Sequence, residues 1–448
     1  MSGSHFSKAQ ALEITSTRNR RCIAKGEFSQ LEATGSSYNW RLAPPREHFA
    51  WGNVDAASPE RRIAFQVNKR KVMPLLRPRF CIYSHYFEPS IGGIETHTRT
   101  LANLLQGSSF SVTVVTRTPG KAANNSAFNV SRKPSLADLI VTLRRSEFVI
   151  MQGFNVLVYL VAKAFRKKVV WYHHGYDLSS PGAGFLPTYS GITTAYSQVG
   201  GEARLRVPLW ISFALGRAIA AHDDNVRHIF TSCFMQHAAR LSGALSPANR
   251  NSCVLYHPLD SDFLAPLSAR TTDYDFLMYG RLNAGKGEDV YLAALDALGG
   301  SAGWRAAFFG PCKRPGYIEH LLLAHPKNRD RITYLGTVPH DSVIGVLDRA
   351  RILVVPSVYE EMFGIVATEG MARGLLVVAS RTGGLAEIVE GRGLTFQKGD
   401  VKELARKLKA VIESPHAYES LAQIGRDWAH SELSAEAYLK KFLDFVYA

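Results

Sequence analysis

Gly280-Arg281-Leu282 is followed closely by Lys286-Gly287, which sets two cations five residues apart in one glycine-bounded segment. Arginine offers a planar fork to phosphate oxygens and lysine a mobile point charge. Beside a diphosphate the pair would neutralise a leaving group, as a bound metal does elsewhere; on a solvated loop the same pair would be two idle charges. Further on, Glu361 and Glu369 are separated by the seven residues Met362-Phe363-Gly364-Ile365-Val366-Ala367-Thr368. Carboxylates accept hydrogen bonds from sugar or ribose hydroxyls, which is how a site reads stereochemistry. Near the other end of the chain, Gly92-Gly93-Ile94-Glu95 reads as a turn that opens a helix. Glycines there let a backbone approach a ligand, and a helix N-terminus offers free N–H groups to phosphate. The same turn also serves a purely structural end, and it lacks the GxGxxG spacing of dinucleotide binding. Gly383-Gly384-Leu385-Ala386-Glu387 repeats the arrangement. His174, in Tyr172-His173-His174-Gly175-Tyr176-Asp177, is a polar contact for a substrate on one reading, with His173 a packed core residue.

These residues need elements to place them. Arg79 to His85, Ser111 to Thr116, Phe148 to Gln152 and Lys168 to His173 read as strands, with helices over Thr96 to Leu105 and Val156 to Lys167. A second series begins near Asp273. Its strands are expected at Asp275 to Tyr279, Arg305 to Phe309, Ile332 to Leu335, Ile352 to Pro356 and Leu375 to Ala379. Helical spacing lies between them at Tyr291 to Leu298, Tyr317 to Ala324 and Ser342 to Ala350. Strands alternating with helices of this length imply βαβ units and parallel sheets. The fold class is therefore α/β, with two Rossmann-like parallel-sheet domains and a cleft between them. Ligands of such sheets bind beyond the carboxyl ends of the strands, where every motif above falls. The expected boundaries are 1–75 for a flexible basic leader, 76–258 and 259–430 for the two domains, and 431–448 for a helix packing back on the first. The junction is expected at His257-Pro258-Leu259-Asp260.

Composition narrows the class. The 448 residues are 46% hydrophobic and carry a net charge of +15. Residues 1 to 79 hold 14 Lys and Arg against 6 Asp and Glu, so +8 of that charge lies in the leader. Basic charge of this kind attracts phosphates or an anionic membrane surface without choosing among them. The Ser- and Arg-rich start suits an organelle-targeting peptide, but Glu13 and Glu27 interrupt the acid-poor pattern such peptides need, and Met73 is an alternative start. The longest apolar stretch, Pro208 to Ala221, carries Arg217 and is too short to span a membrane. Five dispersed cysteines, Cys22, Cys81, Cys233, Cys253 and Cys312, suit neither a disulfide framework nor a zinc site, and fit a reducing cytoplasm. A His173, His174 and Asp177 metal set is conceivable; no other compact ligand set stands out, and Asp223-Asp224 follows a helix. No metal and no cofactor is expected.

In this order the motifs resemble the family-4 retaining glycosyltransferases with the GT-B fold, over about residues 79 to 430 and most strongly from Tyr274 to Gly391. The resemblance implies that Arg281 and Lys286 bind the diphosphate of a nucleotide sugar and that Glu369 holds its ribose. It implies that Glu361 contacts the donor sugar with help from the backbone of Phe363, Gly364 and Ile365. Gly92 and Gly93 become the loop that closes on the phosphates, His174 a contact to the donor sugar near the reacting carbon, and Val338, in Gly336-Thr337-Val338, a neighbour of the base. His174, Arg281, Lys286 and Glu361 would then carry the chemistry. Implied partners are a UDP- or GDP-sugar donor, used as co-substrate, and a saccharide or lipid-linked acceptor of cell-surface polysaccharide or glycolipid synthesis. The expected location is cytoplasmic, peripheral at the membrane face, with no role for nucleic acid. The chain departs from the family at the junction, which often reads Asn-Gly-Val-Asp, and in the Gly/Ser/Pro-rich stretch from Leu178 to Val207, which matches nothing. Two other readings are a nucleotide-sugar epimerase of the same fold, and a non-catalytic membrane- or polyanion-binding protein driven by the basic leader.

Overall fold

A computed structural model describes residues 28–34, 37–42, 78–89, 92–120, 127–175, 178, 203–246, 248–267, 271–298 and 303–448, of which 28–42 and 203–210 are described in their backbone. Most of the expected leader, Asp177 and much of the unmatched stretch lie outside these residues. The chain forms two compact units, 1–75 and 76–448.

In the first unit, strands β1 (Phe28–Thr34) and β2 (Ser37–Leu42) pair antiparallel, with Thr34 opposite Ser37 and Leu31 opposite Trp40. The hairpin lies within the segment read as a flexible leader, where the sequence shows no sustained strand period. The missed signal is Gly35-Ser36 between two short runs, a two-residue hairpin signature.

The second unit holds two wholly parallel sheets. The first is built from β3 (Arg79–Ser84), helix α1 (Gly93–Gly107), β4 (Ser111–Thr116), β5 (Asn129–Arg132), α2 (Leu136–Arg145), β6 (Phe148–Met151), α3 (Val156–Ala164), β7 (Lys168–His173), α4 (Ala203–His222), β8 (Val226–Phe230), α5 (Cys233–Leu241) and β9 (Ser252–Val254). Its seven strands run in the order β5-β4-β3-β6-β7-β8-β9. The second uses β10 (Tyr274–Tyr279), α6 (Glu288–Ala297), β11 (Ala306–Phe309), α7 (Tyr317–Ala324), β12 (Ile332–Tyr334), α8 (His340–Leu347), β13 (Ala350–Val355), α9 (Ile365–Ala372), β14 (Leu376–Arg381), α10 (Gly383–Val389), β15 (Leu394–Gln397) and α11 (Val401–Glu413). Its six strands run β12-β11-β10-β13-β14-β15. In both sheets the strand order reverses beside the first strand, between β3 and β6 and between β10 and β13. Crevices at such reversals, beyond the carboxyl ends, are where doubly wound sheets hold ligands.

The central strands read as continuous apolar runs because helices cover both faces. Ile352, Leu353, Val354 and Val355 of β13 are all buried, as are Val149, Ile150 and Met151 of β6. Two further helices, α12 (Glu419–Glu432) and α13 (Ala435–Tyr447), complete the unit. The chain crosses between the sheets twice, near residue 257 and again near 434. Ser434 caps α13 by accepting the N–H of Ala437 at 3.3 Å, and Tyr438, Phe442 and Val446 form one buried stripe at helical spacing. That stripe belongs to the core of the first sheet, with Phe80, Ile82 and Phe148. No described helix is long and apolar enough to cross a membrane.

Candidate functional site

The loop after β10 carries the two cations. Asn283 caps its single 3-10 turn, Ala284–Lys286, by accepting the N–H of Gly285 at 3.0 Å. Arg281 is exposed and Lys286 is half-buried. Gly287 then takes a left-handed conformation with φ of 80°, and a Cβ placed there would lie 2.0 Å from the carbonyl oxygen of Pro356. Only glycine fits both constraints, so the loop is seated directly on the end of β13. Gly287→Ala is expected to lower stability by more than the 1–2 kcal/mol, roughly, of a left-handed alanine, because the backbone of Pro356 must also move. Thermal melting checks this; a variant that melts like wild type would refute the seating role.

Lys286 points at Glu361. Its Nζ donates to Glu361 Oε1 at 2.7 Å and lies over the Tyr359 ring, 5.0 Å from the centroid. Ser357 Oγ donates to the same carboxylate oxygen at 2.6 Å, and the Tyr359 hydroxyl donates to Oε2 at 3.0 Å. Burial alone would push the Lys286 pKa down, but Glu361 and Tyr359 outweigh it and the pKa is raised. A cation and a carboxylate expected to hold different parts of one ligand are thus paired with each other, and binding would redistribute these contacts.

Glu369, on α9, accepts from the Tyr279 hydroxyl at the end of β10. Burial pushes its carboxyl pKa up to about 7 against the counteracting Tyr279 contact and His340, with Asp260 adding to the rise. It lines a small cavity with Gly93, His97, His257, Asp260 and Ile365. The cleft is narrow here, since a Cβ on Gly93 would lie 3.3 Å from Ile365 Cδ1. Gly364 caps α9 in a left-handed conformation, and Phe363 is buried with its ring 5.2 Å from that of His257. Gly92 caps α1 beside the Glu95 carboxylate. Val338 packs half-buried against the core of the second sheet, in the loop after β12.

His174 follows β7 directly. Its Nε2 meets Gln152 Oε1, and its ring stacks on Tyr172 at 5.0 Å and on His257 at 5.3 Å, with His97 edge-on at 4.8 Å. Burial, then the neighbouring His97 and His257, hold its pKa well below the usual imidazole range. Burial also holds His97 well below it and pushes His257 down to about 3. All three rings are neutral near pH 7. The conceivable His173, His174 and Asp177 metal set is corrected: His173 turns away, 3.0 Å from His228 Nδ1 and stacked on Phe230.

Several residues escape a reading by local spacing, because their partners are far away in the chain. Asp260 joins the junction to α1 and α8, accepting from Thr100 at 3.0 Å and lying 3.4 Å from His340 Nε2. Glu387 reaches across to the first sheet. Its carboxylate accepts the N–H groups of Cys233 and Phe234 at 3.0 and 3.1 Å, capping α5 of the first sheet, and the Tyr256 hydroxyl at 2.6 Å. The Gly383-Gly384 element is therefore a bolt between the two halves. The only signal for it was the repeat of a Gly-Gly turn followed by glutamate.

With this geometry in view, comparison with known proteins is decisive for the architecture. The Anabaena protein HepE, solved in complex with UDP, superposes with a TM-score of 0.64 over 83% of this chain and 100% of its own, at 17% identity. The fold is GT-B. Within that GT-B frame, residues 262–428 match the family Glycosyl transferases group 1. They contain the cation loop and both glutamates. An uncharacterized glycosyltransferase of Methanocaldococcus jannaschii is 32% identical over 160 residues, covering 35% of this chain and 44% of that protein. Glycogen synthase of Mycobacterium tuberculosis is 27% identical over 225 residues, 48% of this chain and 54% of the enzyme. The chain thus spans about half the length of these curated relatives.

Proposed function

We propose that this GT-B chain is a retaining glycosyltransferase that moves a sugar from a UDP- or GDP-sugar to a saccharide or lipid-linked acceptor. The observation that carries the reading is the Lys286–Glu361 pair at the carboxyl ends of β10 and β13, inside the segment that matches the group 1 family, with Glu369 of the same segment lining a small cavity against Gly93, His97 and His257. UDP in the HepE structure supports a nucleotide-sugar donor. In the proposed reaction the bond from the anomeric carbon to the diphosphate oxygen loosens and leaves an oxocarbenium-like sugar. Arg281 and Lys286 stabilise the charge that collects on the leaving diphosphate. The acceptor hydroxyl attacks from the same face, and the diphosphate takes its proton. Glu361 and the backbone at Phe363, Gly364 and Ile365 hold the sugar, Glu369 the ribose, Val338 the base, and Gly92-Gly93 closes over the phosphates.

Two cations in place of a bound metal make turnover independent of divalent ions. The acceptor belongs to cell-surface polysaccharide or glycolipid synthesis, with the chain at the cytoplasmic face of a membrane. A concave basic patch of Arg166, Lys167, Lys168 and Arg227 on the first domain supports an anionic surface as partner. The test is incubation with UDP-, GDP- and ADP-sugars and a panel of acceptors in EDTA, with free nucleotide diphosphate and the product's anomeric configuration as readouts. Acceptor-dependent release with retention is expected. Conversion of donor alone would favour an epimerase, and loss of turnover on chelation, restored by manganese or magnesium, would overturn the metal-free mechanism.

A further inference from the structure

Three histidines from separate parts of the chain meet at the floor of the cleft. His97 lies in the first turns of α1, His174 in the loop after β7, and His257 in the segment joining the two sheets. Each can offer a ring nitrogen, and these nitrogens all lie within 4.8 Å of one another. His97 and His257 are only 3% and 8% exposed, and the Nδ1 atom of each is buried without a partner at hydrogen-bond geometry, the Gln152 side chain standing beside His97. Native proteins rarely leave a buried polar atom unpaired, and two in one cluster call for a shared partner. The opposite nitrogens are already held: His97 Nε2 lies 2.9 Å from the Tyr438 hydroxyl, and His174 Nε2 meets Gln152 Oε1. Outer partners of this kind orient histidines that ligate metals.

We propose that His97, His174 and His257 form a three-imidazole site for a zinc ion. Imidazole nitrogens suit zinc and its transition-metal neighbours, whereas magnesium and calcium take oxygen ligands. Zinc–nitrogen bonds of about 2.0–2.1 Å in a tetrahedron set the nitrogens roughly 3.4 Å apart. Ring rotation about the soft terminal torsion of each histidine closes the remaining gap. Three protein ligands leave a fourth position open toward the cleft. The site is separate from the metal-free sugar transfer proposed above, and its consequence for turnover rests on that reading: zinc engages the His174 ring that would otherwise meet the donor sugar, so zinc and donor compete.

The experiment strips the full chain with a chelator, then titrates it with zinc by calorimetry and with cobalt(II) by visible spectroscopy. One equivalent of zinc should bind, and cobalt should give the intense bands of a four-coordinate nitrogen site. His257→Asn should weaken zinc binding by at least a hundredfold while keeping the wild-type melting temperature. Tyr438→Phe, which touches no metal, should weaken it about tenfold. Absence of cobalt bands, as when a buried water serves the two Nδ1 atoms, would overturn the site, as would unchanged zinc affinity in a folded His257→Asn variant. Zinc that binds and raises the apparent KM for donor supports the competition. Zinc that binds without affecting turnover removes His174 from the donor contact and overturns the competition. Zinc binding in a chain that releases nucleotide from no sugar donor fails the transferase reading and leaves the metal site standing.

Discussion

Arg281→Ala and Lys286→Ala should each lower turnover by roughly a hundredfold to a thousandfold, with a smaller change in donor affinity. Charge on the diphosphate grows as the sugar leaves, so the cations stabilise the transition state more than the bound donor. One such group is typically worth about 2.7–4 kcal/mol. The two variants should differ in stability. Arg281 is exposed, so its removal should leave melting unchanged. Removing Lys286 takes a cationic partner from Glu361, a buried carboxylate that keeps the Ser357 and Tyr359 contacts named above. With 24% of the lysine side chain exposed, that loss should stay near the lower end of the range for breaking a buried pair, about 3 kcal/mol. Arg281→Lys should not restore full turnover, because an ammonium cannot make the bidentate contact. On the proposed mechanism both groups act on one diphosphate, so the double variant should cost less than the product of the single losses. Steady-state turnover and calorimetric donor affinity decide the matter. Folded single variants with near wild-type turnover would remove the main support for the mechanism.

Glu369→Gln should weaken nucleotide diphosphate binding about tenfold to a hundredfold, the worth of a charge-assisted hydrogen bond of roughly 1.5–3 kcal/mol. The same residue sets a pH signature. Its raised pKa of about 7 means that the carboxyl is largely protonated at pH 6 and largely ionised at pH 8. In the proposed role the ionised form accepts from ribose hydroxyls, so wild-type affinity should tighten as pH rises through 7 and the glutamine variant should not follow. Stability runs the other way. A carboxyl whose folded pKa is raised contributes stability that is present below its unfolded value and lost as pH rises through 7. Calorimetry across pH 6 to 8 for both proteins is the measurement. Equal affinity for wild type and variant would count against the ribose role.

The parallel strands were legible because their runs are apolar on both faces and bounded by glycine or proline. The expected strands at Ser111 to Thr116 and Lys168 to His173 coincide with β4 and β7. β5, β8, β9 and β15 went unread: Asn129–Arg132, Ser252–Val254 and Leu394–Gln397 are short strands at sheet edges, and Val226–Phe230 holds His228 in its interior. The motifs of the second sheet were legible as local segments because each sits within one loop and helix. What joins them was not. The Lys286–Glu361 pair spans 75 residues, His97 and Tyr438 are 341 apart, and Glu387 reaches 154 residues back to cap α5. Such contacts obey no local period, and a charged residue at either end reads as a solvated loop until the fold brings its partner. His257, taken only as an odd residue at the junction, gained its meaning in the same way.

The return of α13 to the first sheet has a consequence for synthesis. The strands of that sheet are complete once Val254 has left the ribosome, but the face that receives Tyr438, Phe442 and Val446 waits for nearly two hundred further residues. At the usual rate of about 5–20 residues per second, that is on the order of ten seconds or more with Phe80 and Phe148 short of their cover. The core of the first sheet is completed only after the second sheet has been made. A chaperone that shields this face during translation, or a ribosome that stalls late in the message, should therefore govern the yield of active protein more than the intrinsic stability of either sheet.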